Sequence, residues 1–321
     1  SDGSLVTDSA AASSAWSAGR RVPNRQINID ASGRRLESIG ETLEKTPVRL
    51  GLVTTATVTH ATPAGFAANT PNRNDEDAIA PQYLDRAEII LGGGSKFFDP
   101  KRRRDGRDLF AEYRRANYDL LRSRDELLAS KAPRLLGTFS GDHLPYTIDH
   151  QADAGLVASV PTLAEMTAAA LDRFLSADAP FLLQVEGARI DHAAHANDIG
   201  AILHDQLAFD DALALLLERV TGRGDVLVVV TSDHGNANPA LNGTGAGYRR
   251  TDEHFVRVAR ASMSHELLLA RWRGKPGGVA GLKELAAGRA FLPHAAFRGL
   301  VEFLPARPAP RLFNPLPGVN P

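Results

Sequence analysis

Two uninterrupted runs of β-branched and aliphatic residues, Val48–Thr59 (VRLGLVTTATVT) and Val226–Thr231 (VLVVVT), set the tightest limit on what this chain can fold into. A strand with one wet face alternates apolar and polar residues. A continuous run instead suits a strand buried on both faces, as in a parallel sheet covered by helices. The segments around these runs alternate in type. Leu5–Thr7 leads into Asp8-Ser9, then into a small-residue, helix-compatible stretch, Ala10–Ala18, stopped by Gly19. Arg34–Thr46 carries Leu36, Ile39 and Leu43 at helical spacing. Glu88–Leu91 reads as a strand halted by Gly92-Gly93-Gly94, Leu163–Leu175 as a helix, and Phe181–Val185 as a strand. Ile199–Leu217 reads as a long helix with Ile202, Leu203, Leu213 and Leu216 turned inward. Strand–helix alternation of this kind predicts an α/β fold, three layers α/β/α around a mostly parallel central sheet. The expected organisation is one domain over residues 1–321, with an irregular Pro-rich tail at about 303–321.

Composition removes several function classes. The formal net charge is −1, so nucleic acid is not expected as a dedicated partner, because binding phosphate backbones needs a basic excess. The basic run Lys101-Arg102-Arg103-Arg104 reads as a solvated turn. There is no cysteine, which excludes thiol nucleophiles, disulfide frameworks and cysteine-ligated zinc. No run of 18 or more apolar residues appears, so no membrane span is expected.

Open α/β sheets bind ligands at the carboxyl ends of their strands, and four polar clusters fall at such ends. Asp233-His234 follows the Val226–Thr231 run; a carboxylate and an imidazole at the exit of an apolar strand are costly unless something pairs them, and a divalent metal would. Alone, the pair also reads as a capping Asp beside a surface His. The second cluster is Glu186-Gly-Ala-Arg-Ile-Asp191-His-Ala-Ala-His195. Asp191 and His195 are four apart, so on a helix they share a face and can chelate one ion; the alternative is a polar helix start. The third, Thr7-Asp8-Ser9-Ala10-Ala11-Ala12, sets a serine at a strand-to-helix turn. There it is either an N-cap or a nucleophile whose hydroxyl pKa a metal lowers. The fourth is His60-Ala-Thr62, with Arg73 beyond it. Threonine oxygen suits a hard cation such as Mg2+, and arginine suits bidentate phosphate binding.

Together these segments resemble the alkaline phosphatase family over roughly residues 5–257. The resemblance rests on VTDSAAASSAWSAG, GLVTTATVTHATPAGF, EIILGGGSKFF, VPTLAEMT, QVEGARIDHAAHANDIG and VVVTSDHGNANP, in that order. It implies an alkaline-phosphatase-like fold and a phosphate-monoester hydrolase with an alkaline optimum. In that scheme Ser9 is phosphorylated in the intermediate, and Arg73 grips the non-reacting phosphate oxygens. Asp191 and His195 bind one zinc, Asp233 and His234 a second, and Glu186 and Thr62 a magnesium, with His60 near that third metal. Small phosphomonoesters are the implied substrates, a homodimer the implied assembly, and the periplasm or the exterior the implied location.

Two parts of the family pattern are not in the sequence. An Asp-bearing strand upstream of the nucleophile is missing, and so is a late His-Thr pair. His254, His265 and His294 are the late candidates for the latter, His294 the best placed by order. The chain is therefore expected to be a fragment without its N- and C-terminal segments, or a member with weakened metal sites. A phosphodiesterase, sulfatase or cofactor-independent phosphoglycerate mutase of the same superfamily, and a non-catalytic metal- or phosphate-binding protein, remain as alternatives.

Overall fold

The structure is a computed structural model that describes residues 1–177, 179–236 and 251–273. The chain divides into two compact units, Ser1–Ala240 and Leu241–Pro321. In the first, five strands form a sheet of order β3-β4-β2-β1-β5, parallel at every pairing. The strands are β1 (Arg49–Thr57), β2 (Ile89–Gly93), β3 (Asp119–Leu121), β4 (Leu135–Thr138) and β5 (Phe181–Glu186). The helices that bear on the site are α1 (Ser9–Ala18), α2 (Ile39–Leu43), α3 (Ala61–Ala67), α4 (Leu163–Leu175), α5 (Arg189–His195) and α6 (Ile199–Val220).

Successive side chains of a strand point to opposite faces, and here each face has its own core. Leu50 and Leu52 of β1, Ile90 of β2 and Leu136 of β4 pack with Ala10 of α1 and Ala61, Ala64 and Ala67 of α3. Val53 of β1, Ile89 and Leu91 of β2 and Leu135 of β4 pack with Leu163, Met166, Ala170 and Phe174 of α4 and Ala212 of α6. The three-layer α/β/α fold follows from that division.

Small residues let α1 and α3 approach closely. A Cβ built on Gly65 would lie 2.2 Å from Ser13 Oγ and 2.5 Å from Ser13 Cβ. Ser13 Oγ donates to the Ala61 carbonyl, and the buried Asn28 amide donates to the Gly65 and Ala68 carbonyls. This contact fixes where α1 begins relative to the sheet. Gly65→Ala is therefore expected to destabilise the protein by about 1–3 kcal/mol, the usual cost of overpacking, as measured by urea unfolding.

Several sequence expectations need correction. The helix expected over Arg34–Thr46 shrinks to α2, because Ser38 and Glu41 form a capping box that starts it there, while Arg35 bridges to Ile29. β2 runs on through Gly92 and Gly93 and turns only at Gly94, where φ is +92°. Val226–Thr231 forms no strand: Leu227, Val229 and Val230 are exposed, and the segment stands off from β5 across a cavity of about 1360 Å³. An apolar β-branched run encodes an extended backbone but not the partner that pairs with it. On α6, Leu203 is 42% exposed rather than inward. The basic run is not all solvated either. Arg103 is buried and donates to the Phe97 and Asp77 carbonyls and to Asp105, whereas Arg104 stays exposed and pairs with Asp75 and Asp77.

Residues 154–175 reach a mean hydropathy of 1.4, enough by length and composition alone to cross a membrane. They form two helices, Ala154–Ser159 and α4, and α4 buries its apolar stripe against the sheet. The described part of the second unit contains the helices Thr251–Ala259 and His265–Arg273, and His265 is buried. His294, the side chain of His254 and the Pro-rich tail lie outside the described residues.

Candidate functional site

The site collects at the carboxyl ends of β1 and β5 and at the start of α1. Asp8 caps α1 through Oδ1, which accepts the Ala11 N–H at 2.9 Å. Its Oδ2 accepts the Arg25 N–H and Arg73 Nη1, both at 3.0 Å. One carboxylate therefore sets both the helix start and the direction of Arg73. Ser9, the first residue of α1, is 5% exposed, and its Oγ lies 3.2 Å from His234 Nε2. The same Nε2 is 3.3 Å from Asp233 Oδ2, and Asp233 Oδ1 accepts the His234 N–H at 3.0 Å. Although Val226–Thr231 is unpaired, its exit still delivers Asp233 and His234 to Ser9.

β5 ends at Glu186, whose carboxyl burial pushes up to about 7; hydrogen bonding from Thr54 and the neighbouring Thr62 hydroxyl pull it down, while Asp233 and Asp191 push it further up. Thr54 Oγ1 donates to Glu186 Oε2 at 2.6 Å. On α5, Asp191 and His195 share a face, with Oδ1 and Nε2 at 3.4 Å, and Asn236 donates to the same Asp191 oxygen at 2.9 Å.

Three histidine rings cluster between these elements. His143 lies 4.5 Å from His192 and 5.8 Å from His60, and His60 lies 5.2 Å from His192, centroid to centroid. Burial, with nearby cationic groups, holds His192 down at about 2 and His60 well below the usual imidazole range, so both are neutral. Arg73 Nη2 is 3.2 Å from His60 Nε2, and Arg189 Nη1 is 3.1 Å from His192 Nδ1. A guanidinium only donates, so those two ring nitrogens accept, and each ring carries its proton on the other nitrogen.

The structure thus brings Ser9, Asp233 and His234 together, Asp191 with His195, Glu186 beside Thr62, and Arg73 beside His60. Among the described residues, no three His, Asp or Glu side chains close on a single metal position. The donor set nonetheless suits cations. Thr62 Oγ1 is buried and has no hydrogen-bond partner of normal geometry, though it lies near enough to Glu186 to lower its pKa. Asp233 and Asp191 bear on Glu186 with negative charge, which a hard cation would neutralise. The sequence reading does not name Asp8, Thr54, Asn236 or two of the three imidazoles, His143 and His192, as site residues. Asp8, His192 and Asn236 lie inside the motifs given above, next to residues with stronger chemical signals. Nothing in the sequence singles out Thr54 or His143.

A family model described as alkaline phosphatase matches residues 1–285. Alkaline phosphatase 3 of Bacillus subtilis is 33% identical over 247 residues, covering 75% of this chain and 51% of its own length. The chain thus spans about half of that curated relative. The crystal structure of Thermus thermophilus alkaline phosphatase superposes with a TM-score of 0.86 at 40% identity, over 93% of this chain and 63% of that one. A mutant of the TAB5 alkaline phosphatase, solved with Mg bound in its M3 site, gives a TM-score of 0.63 at 26% identity, over 72% of this chain and 65% of that one. The chain belongs to the alkaline phosphatase family.

Proposed function

We propose that this chain carries the site of a phosphate-monoester hydrolase in which Ser9 is the nucleophile. The observation that carries the reading is the buried Ser9 Oγ at the start of α1, 3.2 Å from His234 Nε2, with Arg73 anchored by the adjacent Asp8. Asp191 and His195 would hold one zinc, Asp233 and His234 a second, and Glu186 and Thr62 a magnesium with His60 beside it. When bound, these ions lower the pKa of oxygen nucleophiles and neutralise charge that develops on the transferring phosphoryl group.

The residues then have distinct tasks. Arg73, held by Asp8, presents its fork to two phosphate oxygens and orients phosphorus in line with Ser9 Oγ. A bond forms from Ser9 Oγ to phosphorus as the bond to the substrate alcohol breaks, and the alcohol leaves with a proton. Water then attacks the phosphoserine, returning Ser9 and releasing inorganic phosphate. Deprotonated serine and hydroxide both increase with pH, so the optimum is alkaline. The reading extends to small phosphomonoester substrates, a homodimer, one catalytic domain over both units, and a periplasmic or secreted setting.

The test compares p-nitrophenyl phosphate, its bis-ester and its sulfate at pH 9. The monoester is expected to turn over fastest. Faster bis-ester or sulfate hydrolysis would move the chain to another branch of the superfamily. A non-catalytic metal-binding role has one observation in its favour: among the described residues the two-residue ligand pairs do not close on a third. A zinc content below about one per chain would support it, since both zinc sites need full ligand sets.

A further inference from the structure

The side chain that positions Glu186 comes from the neighbouring strand. β1 and β5 pair in parallel register with Thr54 opposite Glu186, and Thr54 is fully buried. Its Oγ1 accepts the Ala56 N–H at 3.1 Å and lies 2.6 Å from Glu186 Oε2. With a lone pair taken by a backbone donor, the hydroxyl hydrogen is directed to the carboxylate, so Thr54 selects one Glu186 oxygen and fixes the carboxylate plane. The threonine is itself immobilised. It is β-branched and therefore stiff at χ1, and Gly92 of β2 leaves just enough room for it, since a Cβ there would lie 3.0 Å from the Thr54 methyl.

The next residue works on the same turn from the opposite face of β1. Thr55 Oγ1 accepts the Arg189 N–H at 3.1 Å, where α5 begins. Two consecutive threonines of β1 thus hold both ends of the Glu186-Gly187-Ala188-Arg189 turn, Thr54 through a side chain and Thr55 through the backbone. Only the Thr54 bond bears on a group that would touch a cation.

We propose that Thr54 is a positioning residue for the third cation site: its hydroxyl clamps Glu186 in the rotamer that presents the carboxylate beside the unpartnered Thr62 hydroxyl. This rests on the reading above that Glu186 and Thr62 take magnesium. Outer hydrogen bonds of this kind orient metal ligands, and losing one typically weakens binding about 10–100-fold.

The experiment uses the full chain, stripped with a chelator and resupplied with zinc, and titrates it with Mg2+ alone by calorimetry without substrate. Thr54→Val keeps the shape and removes the hydroxyl. It is expected to weaken Mg2+ binding by about 10-fold or more. Thr54→Ser, which restores the donor, is expected to stay within about 3-fold of the parent. Thr54→Ala serves as a second hydroxyl-free variant should the valine misfold. The Mg2+ concentration for half-maximal activity should rise with the binding constant, while the rate at saturating Mg2+ changes little; a general packing defect would not give that split. Parent-like Mg2+ affinity in a folded Thr54→Val or Thr54→Ala chain overturns the role of Thr54 and leaves the site reading intact. A parent chain that takes up no Mg2+ overturns both.

Discussion

Ser9→Ala is expected to lower kcat for p-nitrophenyl phosphate by about a thousand-fold or more, because the route through phosphoserine disappears and only a directly attacking water remains. The substitution removes one oxygen from a residue that is 5% exposed at the first position of α1, and the Asp8 cap does not depend on that oxygen. Folding stability should therefore change by less than about 1 kcal/mol, so that an activity loss reports on chemistry. Acid quenching during turnover should trap phosphate on the parent at Ser9 and none on the variant. Survival of a tenth of the parent activity in Ser9→Ala would remove Ser9 from the reaction, and His234, 3.2 Å away, would be the next nucleophile to test.

Chelation has the second large effect. Burial raises the Glu186 carboxyl to about 7, and the negative charge of Asp233 and Asp191 adds to it when no cation lies among them. Exhaustive dialysis against a chelator is expected to reduce activity below about 1% of the starting value and to lower Tm. Ligand at a thousand times its Kd stabilises a fold by about 4 kcal/mol, and domains of this size shift by roughly 2–4 °C per kcal/mol, so a drop near 10 °C is expected. Zinc and magnesium together should restore both readouts. Unchanged Tm and activity after metal content has fallen to zero would show that these carboxylates serve the fold alone.

How much of this was legible in the sequence depends on the range of the interaction. Ser9, Asp191 with His195, and Asp233 with His234 are set by local order: a helix start, a spacing of four, and a dipeptide at a segment exit. The structure brings each pair together as the spacing implies. β1, β5 and α4 follow their apolar patterns nearly residue for residue. β3 and β4, three and four residues long, are too short to carry a period and emerge only from pairing with their neighbours. Thr54 was invisible for a different reason. Thr54, Thr55, Thr57 and Thr59 look alike in the sequence, and only the β1–β5 register shows which one faces Glu186. Val226–Thr231 misled because its composition encodes burial, whereas burial requires a partner on each side.

That segment and the edge it fails to cover have a consequence for handling the protein. Among the described residues β5 is a sheet edge with a row of backbone amides and carbonyls, and beside it runs a ribbon whose Leu227 and Val229 are 86% and 72% exposed. Within β5 only Glu186, at its far end, is charged, and neither segment carries the proline or bulge that blunts natural edges. An exposed apolar edge of this kind is a template for pairing between copies, and such pairing grows with concentration. In dilute solution the ribbon's own tether favours closure within one molecule. In a concentrated preparation the same surface is expected to act as a seam between molecules, which light scattering against concentration would register.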